Sequence, residues 1–252
     1  NVLGRVSADT YSELREEGVA VGSIATEFGI NKLDEGSGYQ RSDRNVADYN
    51  YDLIVTANKD LSPDFSLLAI LGTSIRKSSF REVIASTQGG LVVPELYALS
   101  NSKAELPLPV ERDQNKEVYG YFTNLNFGFK DMLYLDLIGR IDVSSALPVD
   151  DNVYPYYGAA LSYVFSEMMN VPAINFGKVR VNYAEVGNDT DPQRTTITYT
   201  KNSNFGDAVL FTYPTYVENP NLVPENLQSL EAGLEMAMFD NRLNLDLPFY
   251  KT

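Results

Sequence analysis

The chain contains no cysteine and no histidine. The first absence excludes a disulfide scaffold, thiol catalysis and cysteine-ligated zinc. The second removes the commonest general base and the commonest metal ligand, so a Ser-His-Asp triad is impossible. An enzyme would be left with carboxylates, Lys or Tyr, and no pair of carboxylates is singled out for glycoside hydrolysis; the reading is of a non-enzyme, with no cofactor. Tryptophan is missing too, and basic residues are few. Twenty Lys and Arg stand against 34 Asp and Glu, a net charge of −14. That balance argues against nucleic acid as a partner, since nothing would neutralise its phosphates. Long apolar runs are also lacking. The longest, Leu67 to Leu71, is far short of the ~20 residues a spanning helix needs. The start "NVLGRVSADTY" has no basic stretch followed by an apolar one, as a signal peptide would. It also lacks Met and begins mid-pattern, as the end at Thr252 stops mid-pattern, so the chain reads as a fragment of something longer.

What is present is a period of two. In "GYFTNLNFGFKDMLYLDLIGRID", Tyr121, Thr123, Leu125, Phe127 and Phe129 share one side, while Asn124, Asn126 and Gly128 share the other. After Lys130-Asp131-Met132 the alternation restarts, with Leu133, Leu135, Leu137 and Ile141 against Tyr134, Asp136 and Arg140. That is the pattern of a strand with one apolar and one wet face. In a soluble sandwich the apolar face is the core; in a membrane barrel it faces lipid.

Nine such segments recur, at 2–12, 49–59, 65–76, 117–129, 133–145, 156–166, 175–187, 228–239 and 242–250. Most run about 9–13 residues, the length of a tilted bilayer-crossing strand rather than the ~5–6 of a soluble one. The connections alternate. Asp60 to Asp64, Lys130 to Met132, Glu167 to Ile174 and Asp240-Asn241 are short; 13–48, 77–116, 146–155 and 188–227 are long. Outer-membrane barrels have short periplasmic turns and long extracellular loops, and a sandwich has no reason for that parity. The long connections carry candidate hairpins of their own: "TTITYTK" (195–201) with "AVLFTYP" (208–214), and "SIATEFGI" (23–30). Tyr121, Phe129, Tyr157, Phe165 and Phe249 lie near strand ends, where an aromatic girdle would be. Nine strands leave two open edges, so more strands are expected from elsewhere. Pro248 is expected at an edge, an end or a bulge.

Several motifs carry bland readings. Asp189 and Asp191 in "GNDTDP" lack the rest of a calcium loop and read as an Asx-rich turn. "RKSSFRE", Arg76 to Glu82, is a basic cluster at the start of a long loop: a solvated rim, with contact to lipopolysaccharide phosphates as the sharper alternative. Lys178, Arg180, Arg140, Asp136, Asp142 and Glu185 are expected to face the lumen and pair there. "NPNLVPE" (219–225) reads as a rigid turn into the next strand. Substrate-binding residues are not legible.

At "VYGYFTNLNFGFKDMLYLDLIGRIDVSSALP" the chain resembles the SusC/RagA group of TonB-linked outer-membrane transporters of Bacteroidetes. That group has a barrel hairpin of the form Y-G-Y-F-x-N-x-N-x-G-Y-K-D-x-L-Y-L-D-x-x-G-R-x-D-W-S-S-x-L-P. Tyr119 to Asn124, Gly128, Lys130, Asp131, Leu133 to Asp136, Gly139, Arg140, Asp142, Ser144, Ser145, Leu147 and Pro148 match. The stretches 4–17, 154–167, 176–192 and 219–246 fit in order; Val143 replaces the group's Trp, and Pro248 departs in the last strand. The resemblance implies an all-β fold, part of a large antiparallel transmembrane barrel with about nine of 22 strands here. The plug, TonB box and N-terminal domain would lie outside 1–252. It also implies active import of oligosaccharides or oligopeptides, a SusD-like lipoprotein lid on the loops, the TonB complex acting through the plug, and contact with lipid bilayer and lipopolysaccharide. The alternatives are a soluble β-sandwich that binds glycans and a passive porin or adhesin barrel.

Overall fold

The computed structural model describes residues 1–23, 36–169, 171–202 and 204–252. Nine long strands follow one another as neighbours in a single antiparallel sheet. They are β1 (Val2–Ser23), β2 (Gly36–Ser62), β3 (Phe65–Ser86), β4 (Val110–Phe129), β5 (Leu133–Ser144), β6 (Val153–Val164), β7 (Ile174–Asn188), β10 (Glu225–Met238) and β11 (Leu243–Lys251). Between β7 and β10 a two-residue pair, β8 (Thr200–Lys201) and β9 (Phe211–Thr212), forms a hairpin of its own, as expected from the paired segments. β1 and β11 are the edges of the sheet, and Pro248 sits in that edge strand as predicted. The candidate segment 23–30 lies, but for Ser23, outside the described residues.

The register decides which face is which. Phe129, Phe127 and Leu125 stand opposite Leu133, Leu135 and Leu137. On one side they meet Phe65, Leu67 and Ala69, and on the other Tyr163, Leu161 and Ala159. Val179, Val181 and Tyr183 continue the face to Leu234, Ala232 and Leu230. Among the described residues no second sheet covers this face: Leu133, Leu135, Leu137 and Leu243 are 37, 36, 39 and 48% exposed. The accessible surface of 17283 Å² is about half as large again as the ~11,000 Å² of a compact protein of this size. Only Tyr39, Leu91, Ala146, Leu147, Tyr154 and Val164 are buried apolar residues among those described. A sandwich would bury its leucines first, so the soluble-module alternative fails here.

The apolar face is a band with aromatic borders. At the short-turn end Phe65 and Phe129 stack at 4.6 Å, with the Lys130 ammonium over the Phe129 ring. At the other border Tyr51, Tyr119, Tyr121 and Tyr157 face out along the register. From Phe129 to Tyr119 is ten residues, ~33 Å of strand, or ~25 Å of height at the usual tilt. That is the height of a barrel's lipid-facing belt. Tyr121, Phe129 and Tyr157 therefore border the band as expected. Phe249 is exposed on the same face beside Ala232, whereas Phe165 folds over Gly177 from the turn after β6.

The short turns have suitable backbones. Lys130 and Asp131 both take positive φ, as the two central residues of a type I′ turn do, and Asp240 and Asn241 do likewise; Met132 N–H donates to the Phe129 carbonyl at 3.0 Å and Arg242 N–H to the Phe239 carbonyl at 3.2 Å. The expected parity of connection length holds except once. The stretch between β5 and β6, 145–152, is no longer than 165–173 between β6 and β7. The β5–β6 ladder runs up to Val143 and Val153 and shortens the first, while a 3₁₀ turn at Phe165–Glu167 lengthens the second.

β1 to β4 run well past the band. Pairs continue in register to Gly18 and Tyr39, and to Gln40 and Ser86. This projecting wall accounts for much of what the sequence pattern assigns to long loops. The connection 87–109 folds back onto its outer side. Leu91, 1% exposed, donates its N–H to Ser37 Oγ at 2.9 Å, and Thr87 brackets Tyr39. The Tyr97 ring rests on Gly18, where a Cβ would lie 2.7 Å from it.

Candidate functional site

The opposite face, concave and wet, is the candidate site. Strict alternation delivers Asp48, Ser74, Arg76, Lys116, Arg140 and Asp142 to it from β2, β3, β4 and β5. They line a cavity of about 570 Å³, closed on one side by Asp189 and Asp191 from the connection after β7.

The charges are paired along the wall rather than across the open space. Arg76 Nη2 reaches Asp48 at 3.2 Å, and Ser78 Oγ donates to the same carboxylate. Arg140 Nη2 meets Asp142 Oδ1 at 2.8 Å. Asn126 Nδ2 donates to Asp136 at 2.6 Å. Arg180 binds Glu235, with Glu231 at 3.3 Å and Asp246 at 3.5 Å, and Lys178 joins Glu235 at 3.5 Å. Glycines make this flat arrangement fit. A Cβ on Gly120 would lie 2.5 Å from Arg140 Nη2 and 2.7 Å from Asp142 Oδ1; one on Gly233 would lie 2.8 Å from Arg180 Nε. Gly72 likewise lies under the Phe122 ring, and the Arg140 guanidinium sits over that ring, 5.8 Å from its centroid. Long side chains thus lie along the sheet, and the enclosed space stays open. Such a wall can hold water and pass a polar body while offering few unpaired charges to trap it.

Above the band the same face carries a denser cluster. Glu82, 3% exposed, accepts from Arg44 Nη2 at 2.9 Å, Arg112 Nη1 at 3.0 Å and Ser42 Oγ at 3.0 Å. Its burial works to raise the carboxyl pKa. The Arg44 and Ser42 hydrogen bonds, with the two guanidinium charges, outweigh that and hold it below the ordinary carboxylate range.

Five of the six expected placements hold. Arg140, Asp142, Asp136 and the Lys178–Arg180 pair face inward and pair there. Glu185 does not. It shares the outer face with Tyr183, whose hydroxyl donates to it, and it accepts from Gln228 Nε2 at 3.2 Å. Odd-numbered positions of β7 point outward throughout, so Glu185 follows Val179, Val181 and Tyr183. "RKSSFRE" is neither a loop nor a patch. It lies in β3, so Arg76 and Glu82 go inside while Lys77 and Arg81 go outside, to Glu117 at 2.9 Å and Asp113 at 3.5 Å. A shared phosphate site has no geometric basis there. Asp189 ties its turn to the wall, taking Lys116 Nζ at 2.6 Å and Ser144 Oγ at 2.5 Å. In "NPNLVPE" the Asn221 N–H donates to Asn219 Oδ1 at 3.0 Å, an Asx turn delivering the chain to β10 at Glu225. The Glu82 cluster and the Lys116–Asp189 pair went unread in the sequence because both link residues far apart in it.

Comparison with known proteins fits this geometry. A family model described as "TonB dependent receptor-like, beta-barrel" matches residues 7–252. TonB-dependent receptor P26 of Formosa agariphila is 28% identical over 227 residues, covering 86% of this chain and 23% of that relative. Among solved structures, the RagAB peptide transporter superposes with a TM-score of 0.83 at 19% identity, covering 99% of this chain and 27% of that one. The RagAB peptide importer in its "open-open" state gives 0.77 at 20% identity. The chain thus spans about a quarter of the length of the relatives it matches.

Proposed function

Because this chain belongs to the TonB dependent receptor-like β-barrel family, we propose that it forms part of the barrel wall of an active importer of the SusC/RagA type. Its place is the bacterial outer membrane. One observation carries the reading: a single sheet turns its leucines outward and its paired charges inward over a ~25 Å belt. The complete protein would close this sheet with further strands and hold a plug against the paired wall. Energy would come from TonB acting on that plug, a SusD-like lipoprotein would cover the extracellular loops, and the cargo would be oligosaccharides or oligopeptides. A wall whose charges are already satisfied favours such a role, since a plug that must move cannot be bound by many strong ion pairs.

The test is uptake by cells carrying the complete protein. Fluorescently labelled oligosaccharides and oligopeptides above porin size are expected to enter, and entry is expected to stop when TonB is deleted or the proton-motive force is collapsed. Entry that survives both treatments would mark a passive pore, and surface retention without entry an adhesin; either result contradicts the proposal.

A further inference from the structure

The hairpin β8–β9 and its flanks, 195–218, stand apart from the paired wall. Thr200 faces Thr212 and Lys201 faces Phe211. Tyr199 and Tyr213 meet edge to face at 5.8 Å and 65°. Against them lies a cleft of about 320 Å³, lined by Tyr213, Tyr216, Thr198, Thr200, Thr215 and Glu218 among others. The size is that of a small-ligand site. The rings do not serve a core: Tyr213 and Tyr216 are 60 and 66% exposed.

The chemistry of the cleft is that of a neutral, hydroxyl-rich ligand. Its rings offer π-faces that attract positively polarised C–H groups. Its threonines and carboxylate offer a rim of donors and acceptors. Among the described residues no cation lines the cleft: Lys201 follows Thr200 in β8 and is not part of the lining, and Arg194 is taken by Glu218 at 3.4 Å, a bond and charge that hold its guanidinium pKa above the usual value. An anionic ligand would therefore meet a carboxylate and no positive charge in the lining, in a chain of net charge −14. A peptide adding to a strand edge would find only two residues on each side. A pyranose ring, with C–H groups on its faces and hydroxyls around its edge, matches both halves of the lining.

We propose that this cleft is a carbohydrate-binding site, with Tyr213 and Tyr216 stacking on the sugar faces of a neutral oligosaccharide while Thr198, Thr200, Thr215 and Glu218 hydrogen-bond its hydroxyls. It rests on the importer reading, which makes 189–224 an extracellular connection, and it names the class of molecule met there first.

The experiment uses the complete protein in detergent and an array of neutral gluco-, xylo-, manno- and galacto-oligosaccharides, with calorimetry on those that bind. At least one series is expected to bind. Tyr213→Ala and Tyr216→Ala are each expected to weaken it about three- to tenfold. Tyr213→Phe, which keeps the ring, and Phe205→Ala at the hairpin tip are expected to stay within about twofold of the parent. No binding by any series, or equal binding by the Ala variants, overturns the site. So does loss of a co-purifying protein in the Ala variants with sugar binding unchanged, which would mark a protein-docking surface. TonB-dependent uptake is measured on the same preparations. If it persists while these outcomes fail, only the cleft assignment falls; if uptake proves independent of TonB, the importer reading falls instead.

Discussion

Replacing Leu137 with Arg is expected to destabilise the membrane-embedded protein by about 2–4 kcal/mol, while Arg one residue further on, Ile138→Arg, costs under about 1 kcal/mol. Leu137 lies between Leu125 and Ala159 near the middle of the apolar belt and is open on its outer side. A guanidinium there would have to leave water for hydrocarbon or drag water in with it. Ile138 lies between Asn124 and Gly158 on the wet face, where the same group stays solvated. Neither residue lies in the ion-pair network. Urea unfolding in phospholipid vesicles, with the complete protein, reads the difference directly. Equal costs at the two positions would deny that the two faces meet different solvents.

The second large effect falls outside the membrane. Glu82→Ala is expected to loosen the projecting wall of β2, β3 and β4 by about 2 kcal/mol, since Arg44 and Arg112 would then face each other without their shared anion. Both arginines keep some contact with water, which holds the cost below that of a fully buried pair broken on one side. Amide exchange at 40–46 and 80–86 should speed up roughly 30-fold, while 125–137 in the belt stays unchanged. Glu82→Gln, which keeps the shape and the Ser42 partner, should show about half the effect in free-energy terms. The pH dependence follows from the sign of the shift. The folded carboxyl titrates below its ordinary 4.5, so its stabilisation is complete above that value and is lost as pH falls through the lowered pKa. Exchange in the Ala variant should be indifferent to pH over that window once intrinsic rates are removed; wild-type exchange should not.

The nine spanning strands were legible because lipid on one side and water on the other force a contrast at every residue. Where that contrast ends, so does the signal. In 36–48 neither face meets lipid: the connection 87–109 covers Ser37 and Tyr39, and further along Arg41 and Asp43 pair on one face while Ser42 and Arg44 bond on the other. Alternation disappears there although the strand continues, so the pattern is that of a loop where the structure has a projecting wall. "RKSSFRE" looked like a cluster for the same reason, because charge close in sequence is split between opposite faces by the pleat. The charge of Glu185 points to the wet face, whereas its odd position in β7 puts it outside with Tyr183. The Lys116–Asp189 pair spans 73 positions and depends on how a connection folds over the sheet, which no local pattern encodes.

This chain has no cysteine of its own, and the most direct measurement uses the complete protein with any cysteine elsewhere in it replaced by serine. Single cysteines placed in turn at 133 to 141 of the complete protein in bilayers can carry a nitroxide, whose collisions with dissolved oxygen and with a water-soluble nickel complex are then counted. Labels at 133, 135, 137 and 141 should favour oxygen, labels at 134, 136, 138 and 140 should favour nickel, and the preference should reverse at every step. A run of labels with one uniform preference, or with the odd positions shielded from both reagents, would contradict an apolar face turned to lipid.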